Sequence, residues 1–272
     1  MDLPPLSFHS SLVEQWDEEE EPEEIETVLK VFPPAYHQYL DVFSKVKAEN
    51  LPPHHACDYH IELGVLLPPI CVIYSISNQE SEILKASISE NVGKGLIRPS
   101  SSSTDAPVLS FKKKDGGLHL CVDYHKLNTV TRKNRYLVPP VNQLLTLFNG
   151  CIIFSKIDLC AAYNILRIKE EYENLTAFRT KYGSYEYLFM PFALTNSPSS
   201  FQNLVNDIFA DFLDMFVVVY LDDIMGFSSS EEHIKHVVSV LQRLRDNSLY
   251  SMPQVWKTWV IFFQVIASIW TI

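Results

Sequence analysis

The chain lacks the marks of an exported, membrane-spanning or disulfide-built protein. Its five cysteines, at positions 57, 71, 121, 151 and 160, form no Cys-x-x-Cys pair, and no signal-peptide pattern opens the sequence. An intracellular protein with reduced thiols is expected. No uninterrupted apolar run reaches the roughly 20 residues that a membrane-spanning helix needs. The most apolar stretch, Val255 to Ile272, is broken by Lys257 and Gln264. Positive charge is scarce too: 22 Lys and Arg against 33 Asp and Glu leave a net charge of −11, which is unusual for a protein that must hold phosphates. The cause is local. Nine acidic residues and no basic one stand between Glu14 and Glu26, and without them the charge is −2. This stretch, with Pro22 inside it, reads as a solvated linker or tail. No internal repeat is present, and the 47% apolar content is that of a globular chain.

What the chain does contain is a pair of carboxylates in an unusual place. Phe216 to Tyr220 is a β-branched run that reads as a buried strand, and it ends in Leu221-Asp222-Asp223, with a second strand-like segment from Ile224 to Phe227. The backbone is therefore expected to reverse around the two aspartates and push both out of the sheet. Adjacent anions repel unless a cation sits on them. Upstream, Ile152 to Asp158 is another apolar strand ending in a carboxylate, followed by Ala161, Ala162 and Tyr163. Two strands that each deliver an aspartate at the C-terminal end can pool three carboxylates at one edge of a sheet. Hard oxygen ligands of this kind suit magnesium, and two such ions stabilise the attacking and leaving oxygens of an in-line phosphoryl transfer.

From Leu51 to Tyr250 the sequence resembles the reverse transcriptase of gypsy-like long-terminal-repeat retrotransposons. The blocks occur in order: Leu51-Pro52-Pro53-His54, Phe111 to Gly117 with Val122-Asp123-Tyr124, Leu127-Asn128, Phe154 to Leu159, Thr176 to Thr180, Met190-Pro191-Phe192 through Phe201-Gln202, and Tyr220 to Asp223. Several independent motifs at compatible spacing carry far more weight than any one of them. The resemblance implies an α+β fold, the fingers and palm of a right-hand polymerase, with a ferredoxin-like βαββαβ core in the palm. It implies a boundary plan as well: an acidic tail over 1–50, fingers and entry segment over 51–138, palm over 139–250, and an apolar tail over 251–272 outside the family pattern. That tail is read as the product of a truncated or mis-spliced frame.

By the same resemblance, Asp158, Asp222 and Asp223 are the catalytic and metal-binding carboxylates for two Mg2+, with Mn2+ as a substitute, and Leu159 lends a backbone carbonyl. Lys113, His119, Tyr163, Phe192 and Ala193 fall at nucleotide-binding positions. Lys113 corresponds to a lysine on the triphosphate, and Tyr163 to the aromatic gate that leaves no room for a 2′-hydroxyl. Partners implied are an RNA or DNA template with its primer, a deoxynucleoside triphosphate, and the thumb, connection and RNase H domains of a parent polyprotein, with no membrane. Taken without the family, Tyr163 and Phe192 are core residues, and Lys112 to Lys114 guard a solvated hairpin edge. His54, His55, Cys57 and His60 are four donors within seven residues, too close to converge as a zinc tetrahedron, and read as a loop. His233 and His236 read as the solvated face of a helix.

Local signals place several elements. Asn78 caps a helix from about Gln79 to Asn91, ended by Gly93 and Gly95, and a short helix runs from Pro139 through Phe148. Thr176 to Thr180 and Tyr185 to Phe189 read as strands, Ser197 to Leu213 as a helix, and Ser228 to Ser230 as the cap of a helix over Glu231 to Asn247. Several positions depart from the family. Ala193 stands where glycine is usual, His119 and His125 where arginines are usual, Asn174-Leu175 replaces Trp-Lys, and Gly226 interrupts an aliphatic strand. An imidazole in place of a guanidinium loses most of the charge at pH 7. Asp-Thr-Gly protease and integrase-like zinc motifs are absent. Two functions stay open at this point: a polymerase domain, and a non-catalytic remnant that binds nucleic acid or protein.

Overall fold

A computed structural model describes residues 33–54, 57–64, 68, 71, 74–112, 118–136, 146–160, 162–229, 232–251 and 257–260. The acidic stretch, Lys113 and most of the Pro139 to Phe148 segment lie outside these. In chain order the helices are α1 (Lys45–Ala48), α2 (Asn78–Gly93), α3 (His125–Val130), α4 (Ser197–Ile208) and α5 (His233–Asp246). The strands are β1 (Ile97–Pro99), β2 (Ala106–Lys112), β3 (Leu118–Val122), β4 (Ile153–Asp158), β5 (Phe178–Thr180), β6 (Gly183–Tyr187), β7 (Val217–Tyr220), β8 (Asp223–Ser228) and β9 (Lys257–Val260). Two compact units share them: residues 1–49, 138–162 and 205–272 in one, and 50–137 with 163–204 in the other.

The first unit is built on an antiparallel sheet of order β7-β8-β4-β9. With α4 and α5 between strands in the sequence, that order is the expected βαββαβ arrangement. The alternation of β4 sorts its side chains. Phe154 packs with Phe148, Val218, Met225 and Phe227 in one apolar cluster, in which Phe148 meets Phe154 and Phe227 edge to face at 5.5 and 5.3 Å. Helix α5 buries His233, Val237, Val240, Leu241 and Leu244, a stripe at helical spacing. A 3-10 helix at Pro34–Phe43 joins this unit, where Asp41 pairs with Arg245, whose guanidinium lies over the Tyr39 ring. Strand β9 comes from the apolar tail, so four of those residues continue the sheet by pairing along β4, Ile153 opposite Val260 to Lys156 opposite Lys257.

The second unit holds a five-stranded sheet of order β1-β6-β5-β2-β3, in which β2 and β5 are parallel. The strand pair β5–β6 thus joins the hairpin β2–β3 and not the sheet of Asp158. Helix α2 starts one residue earlier than the sequence suggests. Its cap is Ser77, whose hydroxyl accepts from Glu80 N while Ser77 N donates to the Glu80 carboxylate at 2.7 Å, a reciprocal capping box. It ends at Gly93, and Gly95 beyond it takes a φ of 67°, which suits glycine. Glu173 is buried in this unit and paired to two guanidiniums, Arg98 Nη2 at 2.6 Å and Arg167 Nη2 at 3.8 Å.

Candidate active site

The register of β4 against β8 sets Asp158 directly opposite Asp223. Strand β7 ends at Tyr220, Leu221 and Asp222 form the turn, and Asp223 opens β8. Leu221 has a φ of 52°, a left-handed conformation that costs an ordinary residue about 1 kcal/mol and that a tight hairpin demands. The two aspartates therefore part company. Asp223 faces Asp158 across the ladder, and Asp222 sits in the turn, where its backbone carbonyl accepts from Leu159 N at 3.2 Å. Ser251 Oγ donates to the carbonyl of Asp158 at 2.9 Å and fixes the other side of the same segment.

The carboxylates carry the electrostatic marks of a site short of positive charge. Burial, a hydrogen bond with Asp223 and the negative charge of that neighbour push Asp158 up to about 7, against the pull of Lys156. Burial and the Asp223 charge also raise Asp222, whose Oδ1 is buried without a hydrogen-bond partner. Lys156, two residues before Asp158 on β4, places its Nζ 2.9 Å from Asp223 Oδ1 and 3.7 Å from Asp158 Oδ1. Among the described residues no three His, Cys, Asp or Glu side chains are already gathered around one metal position. An orphaned carboxylate oxygen beside two mutually repelling carboxylates is nonetheless a hard, anionic donor set of the kind that suits Mg2+.

The other expected residues lie in the second unit. Tyr163 is buried, its ring 4.2 Å from Phe192 and stacked at 5.3 Å on Phe201. Phe192 is not a core residue, since 63% of it is exposed. Ala193 has a φ of 78°, the conformation that explains a glycine preference at this position. Two asparagines hold this loop. Asn128 Nδ2 donates to Ala193 O at 2.7 Å while its Oδ1 accepts from Thr195 N at 2.8 Å. Asn196 Nδ2 donates to Arg132 O at 2.7 Å, and its Oδ1 accepts from Asn134 N at 2.9 Å. His119 lies on β3 opposite Phe111. The His125 ring bonds to Asp123, which also accepts from Tyr74 Oη at 3.1 Å.

The sequence misses two features. Lys156 is visible only as part of a motif, and nothing in the spacing says that its amine turns toward the carboxylates. The solvated-face reading of His233 and His236 is incorrect. His233 is buried, with Nε2 2.8 Å from Ser155 Oγ and Nδ1 3.0 Å from Ser228 Oγ, and His236 Nδ1 lies 2.7 Å from the same Ser228. Gly226 stands opposite Ser155, and a Cβ there would meet the His233 ring only at 4.0 Å, an ordinary contact distance. Small and hydroxyl residues interrupting an apolar strand were the available signal.

Residues 111–254 match the family described as reverse transcriptase (RNA-dependent DNA polymerase). The Tf2-3 transposon polyprotein of Schizosaccharomyces pombe is 35% identical over 222 residues, 80% of this chain and 16% of the polyprotein, and the Tf2-7 polyprotein of the same organism is 34% identical over the same shares. Among solved structures, the native prototype foamy virus protease–reverse transcriptase matches with a TM-score of 0.69 at 22% identity, covering 86% of this chain and 33% of that one. A foamy viral protease–reverse transcriptase in complex with an RNA/DNA hybrid matches with a TM-score of 0.70 at 18% identity, over 92% and 32%. These likenesses carry the fold, and the chain spans about a sixth of the length of the curated relatives it matches.

Proposed function

The chain belongs to the reverse transcriptase family, and from that premise we propose that it is the RNA-directed DNA polymerase domain of a retrotransposon polyprotein, with Asp158, Asp222 and Asp223 as its catalytic carboxylates. The observation that carries this reading is the pairing of Asp158 opposite Asp223 in the β4–β8 ladder, next to a hairpin turn in which one Asp222 oxygen is buried and unpaired. Asp158 and Asp222 would hold the metals with the Leu159 carbonyl, and Asp223 would complete the charge. Divalent cations bound there would stabilise the attacking and leaving oxygens of nucleotidyl transfer.

The protein's own part is placement. The chemistry is attack of a primer 3′-hydroxyl on the α-phosphate of a deoxynucleoside triphosphate, with pyrophosphate leaving. Tyr163 would exclude a 2′-hydroxyl, Phe192 and Ala193 would line the sugar pocket, and Lys113 and His119 would face the phosphates. Support for the pocket is the exposed Phe192 ring packed on Tyr163 and the glycine-like backbone of Ala193. A template–primer duplex, a thumb, a connection and an RNase H domain are the further partners of this reading.

Primer extension on an RNA template with Mg2+ or Mn2+ is the test. Asp222→Asn preserves shape but removes a charge, and extension is expected to fall by several orders of magnitude. Extension by the variant at the parental rate would place the chemistry elsewhere. In an active chain Tyr163→Ala is expected to raise the kcat/KM for ribonucleotides relative to deoxynucleotides. An unchanged ratio returns Tyr163 to simple packing.

A further inference from the structure

The lysine at the carboxylates has no place in the reaction just described, yet its position is specific. Lys156 and Asp158 lie two apart on β4, so both side chains leave the same face of the sheet. Lys156 stands opposite Met225 in the ladder, one step inward from the Asp158–Asp223 pair, and its side chain is only 18% exposed. The amine thus reaches outward along the sheet to the carboxylates. It is 2.9 Å from one and 3.7 Å from the other. A single positive charge thus stands against two carboxylates that face each other across the ladder, while Asp222 Oδ1 is left without a partner.

Resting on the reading of these aspartates as metal ligands, we propose that Lys156 is a tethered countercharge: it neutralises Asp158 and Asp223 in the metal-free protein and competes with divalent cations for them. Ligation is then a displacement. The ammonium must withdraw from Asp223 before both carboxylates turn to a metal, so Lys156 lowers metal affinity and protects the empty site from charge repulsion. Asp222, which Lys156 does not reach in this arrangement, is the ligand open to the first ion. The competition is electrostatic and local, because unit charges a few ångströms apart at a partly buried position interact strongly.

The experiment uses the full chain and reads binding without catalysis. Mn2+ is titrated into the parental protein, Lys156→Met, Lys156→Arg and Asp222→Asn, with free Mn2+ followed by electron paramagnetic resonance and unfolding followed by heating in EDTA or Mn2+. Methionine keeps a long unbranched side chain and removes the charge. Lys156→Met is expected to bind Mn2+ about tenfold more tightly, the effect of removing one nearby competing charge, to melt below the parental protein in EDTA, and to recover more on adding Mn2+. Lys156→Arg keeps the charge and is expected to bind like the parent. Unchanged or weaker binding by a folded Lys156→Met overturns the countercharge, as does tightening by Lys156→Arg to the same extent. The site reading fails separately: if Asp222→Asn binds Mn2+ as the parent does, or the parent binds none, the aspartates are not metal ligands and the proposal falls with them.

Discussion

At the scale of single residues, a half-buried carboxylate and a buried imidazole in the same unit tie stability to pH in opposite directions. Asp158 is raised to about 7, so the folded chain holds that proton more tightly than the unfolded one, and stability falls as pH climbs from the ordinary carboxylate range through about 7. His233 is lowered from 6.5 to about 4 by burial and by His236. Its neutral form is favoured on folding, so stability is lost as pH falls from 6.5 through about 4. The two slopes oppose each other, and substitution separates them. In EDTA, Asp158→Asn is expected to remove the decline that Asp158 contributes between about pH 4 and pH 7, which in the parent offsets the rise due to His233, so that the variant gains stability with pH up to about 6.5, read from urea midpoints. Equal profiles for parent and variant would mean that Asp158 is not perturbed. Ala193 supplies a second test. Its φ of 78° strains an alanine, and Ala193→Gly is expected to shift stability upward by up to about 1 kcal/mol, the relief of strain exceeding the added entropy of the unfolded chain. A lower urea midpoint would contradict that account. The aspartates were legible because charge at the end of an apolar strand breaks a strong rule. Lys156 was not, because the direction of a long flexible side chain is set by what tertiary structure puts near it.

At the scale of elements, the loop carrying Phe192 and Ala193 owes its shape to side chains distant in sequence. Asn128 satisfies one carbonyl and one amide of that loop. Asn128→Ala leaves both without that partner and is expected to cost about 1–3 kcal/mol, with the change in hydrogen exchange at Thr195 marking the loop as the region affected. Exchange unchanged there would show that other contacts hold the loop. Strand and helix identities were readable from alternation and spacing, since β4, β7, β8 and α2 fall close to where the pattern sets them, and α4 starts at Ser197 as expected but ends at Ile208, five residues before Leu213. Helix ends were less so. Ser77 rather than Asn78 caps α2 because the hydroxyl of Ser77 is the one that meets Glu80 N. Helix α5 begins at His233, two residues late, because Ser228 is the last residue of β8 and gives its hydroxyl to His233 and His236 instead of to a helix end. The Ser228 contacts join residues of different elements, which no local pattern records, whereas Ser77 and Glu80 stand at the local spacing of a capping box.

At the scale of the whole molecule, activity requires more than the carboxylates. A primer terminus must lie about 3 to 3.5 Å from the α-phosphorus, in line with the leaving group, and small misplacement costs two orders of magnitude. The matched family segment ends at residue 254, and the curated relatives are about six times longer than the portion matched here. Weak extension is therefore expected from residues 1–272 alone. Replacing residues 255–272 by a family-type thumb, with glycine at 193 and arginine at 119 and with Ser251 kept on the Asp158 carbonyl, is expected to raise metal-dependent synthesis at low salt. Equal rates for the two proteins would show that the apolar tail is no handicap. That tail contributes β9, whose partner β4 draws its other neighbour, β8, from beyond Asp222. Both ladders of the central strand are thus long-range and later in the chain. On a ribosome adding roughly 5–20 residues per second, β4 emerges several seconds before the first of its partners exists, a strand with two open edges and an apolar face. Residues 163–204 are made in that interval and belong to the other compact unit. Protein synthesis therefore delivers the carboxylates in two instalments, and the period between them is when β4 is most exposed to pairing with the wrong chain.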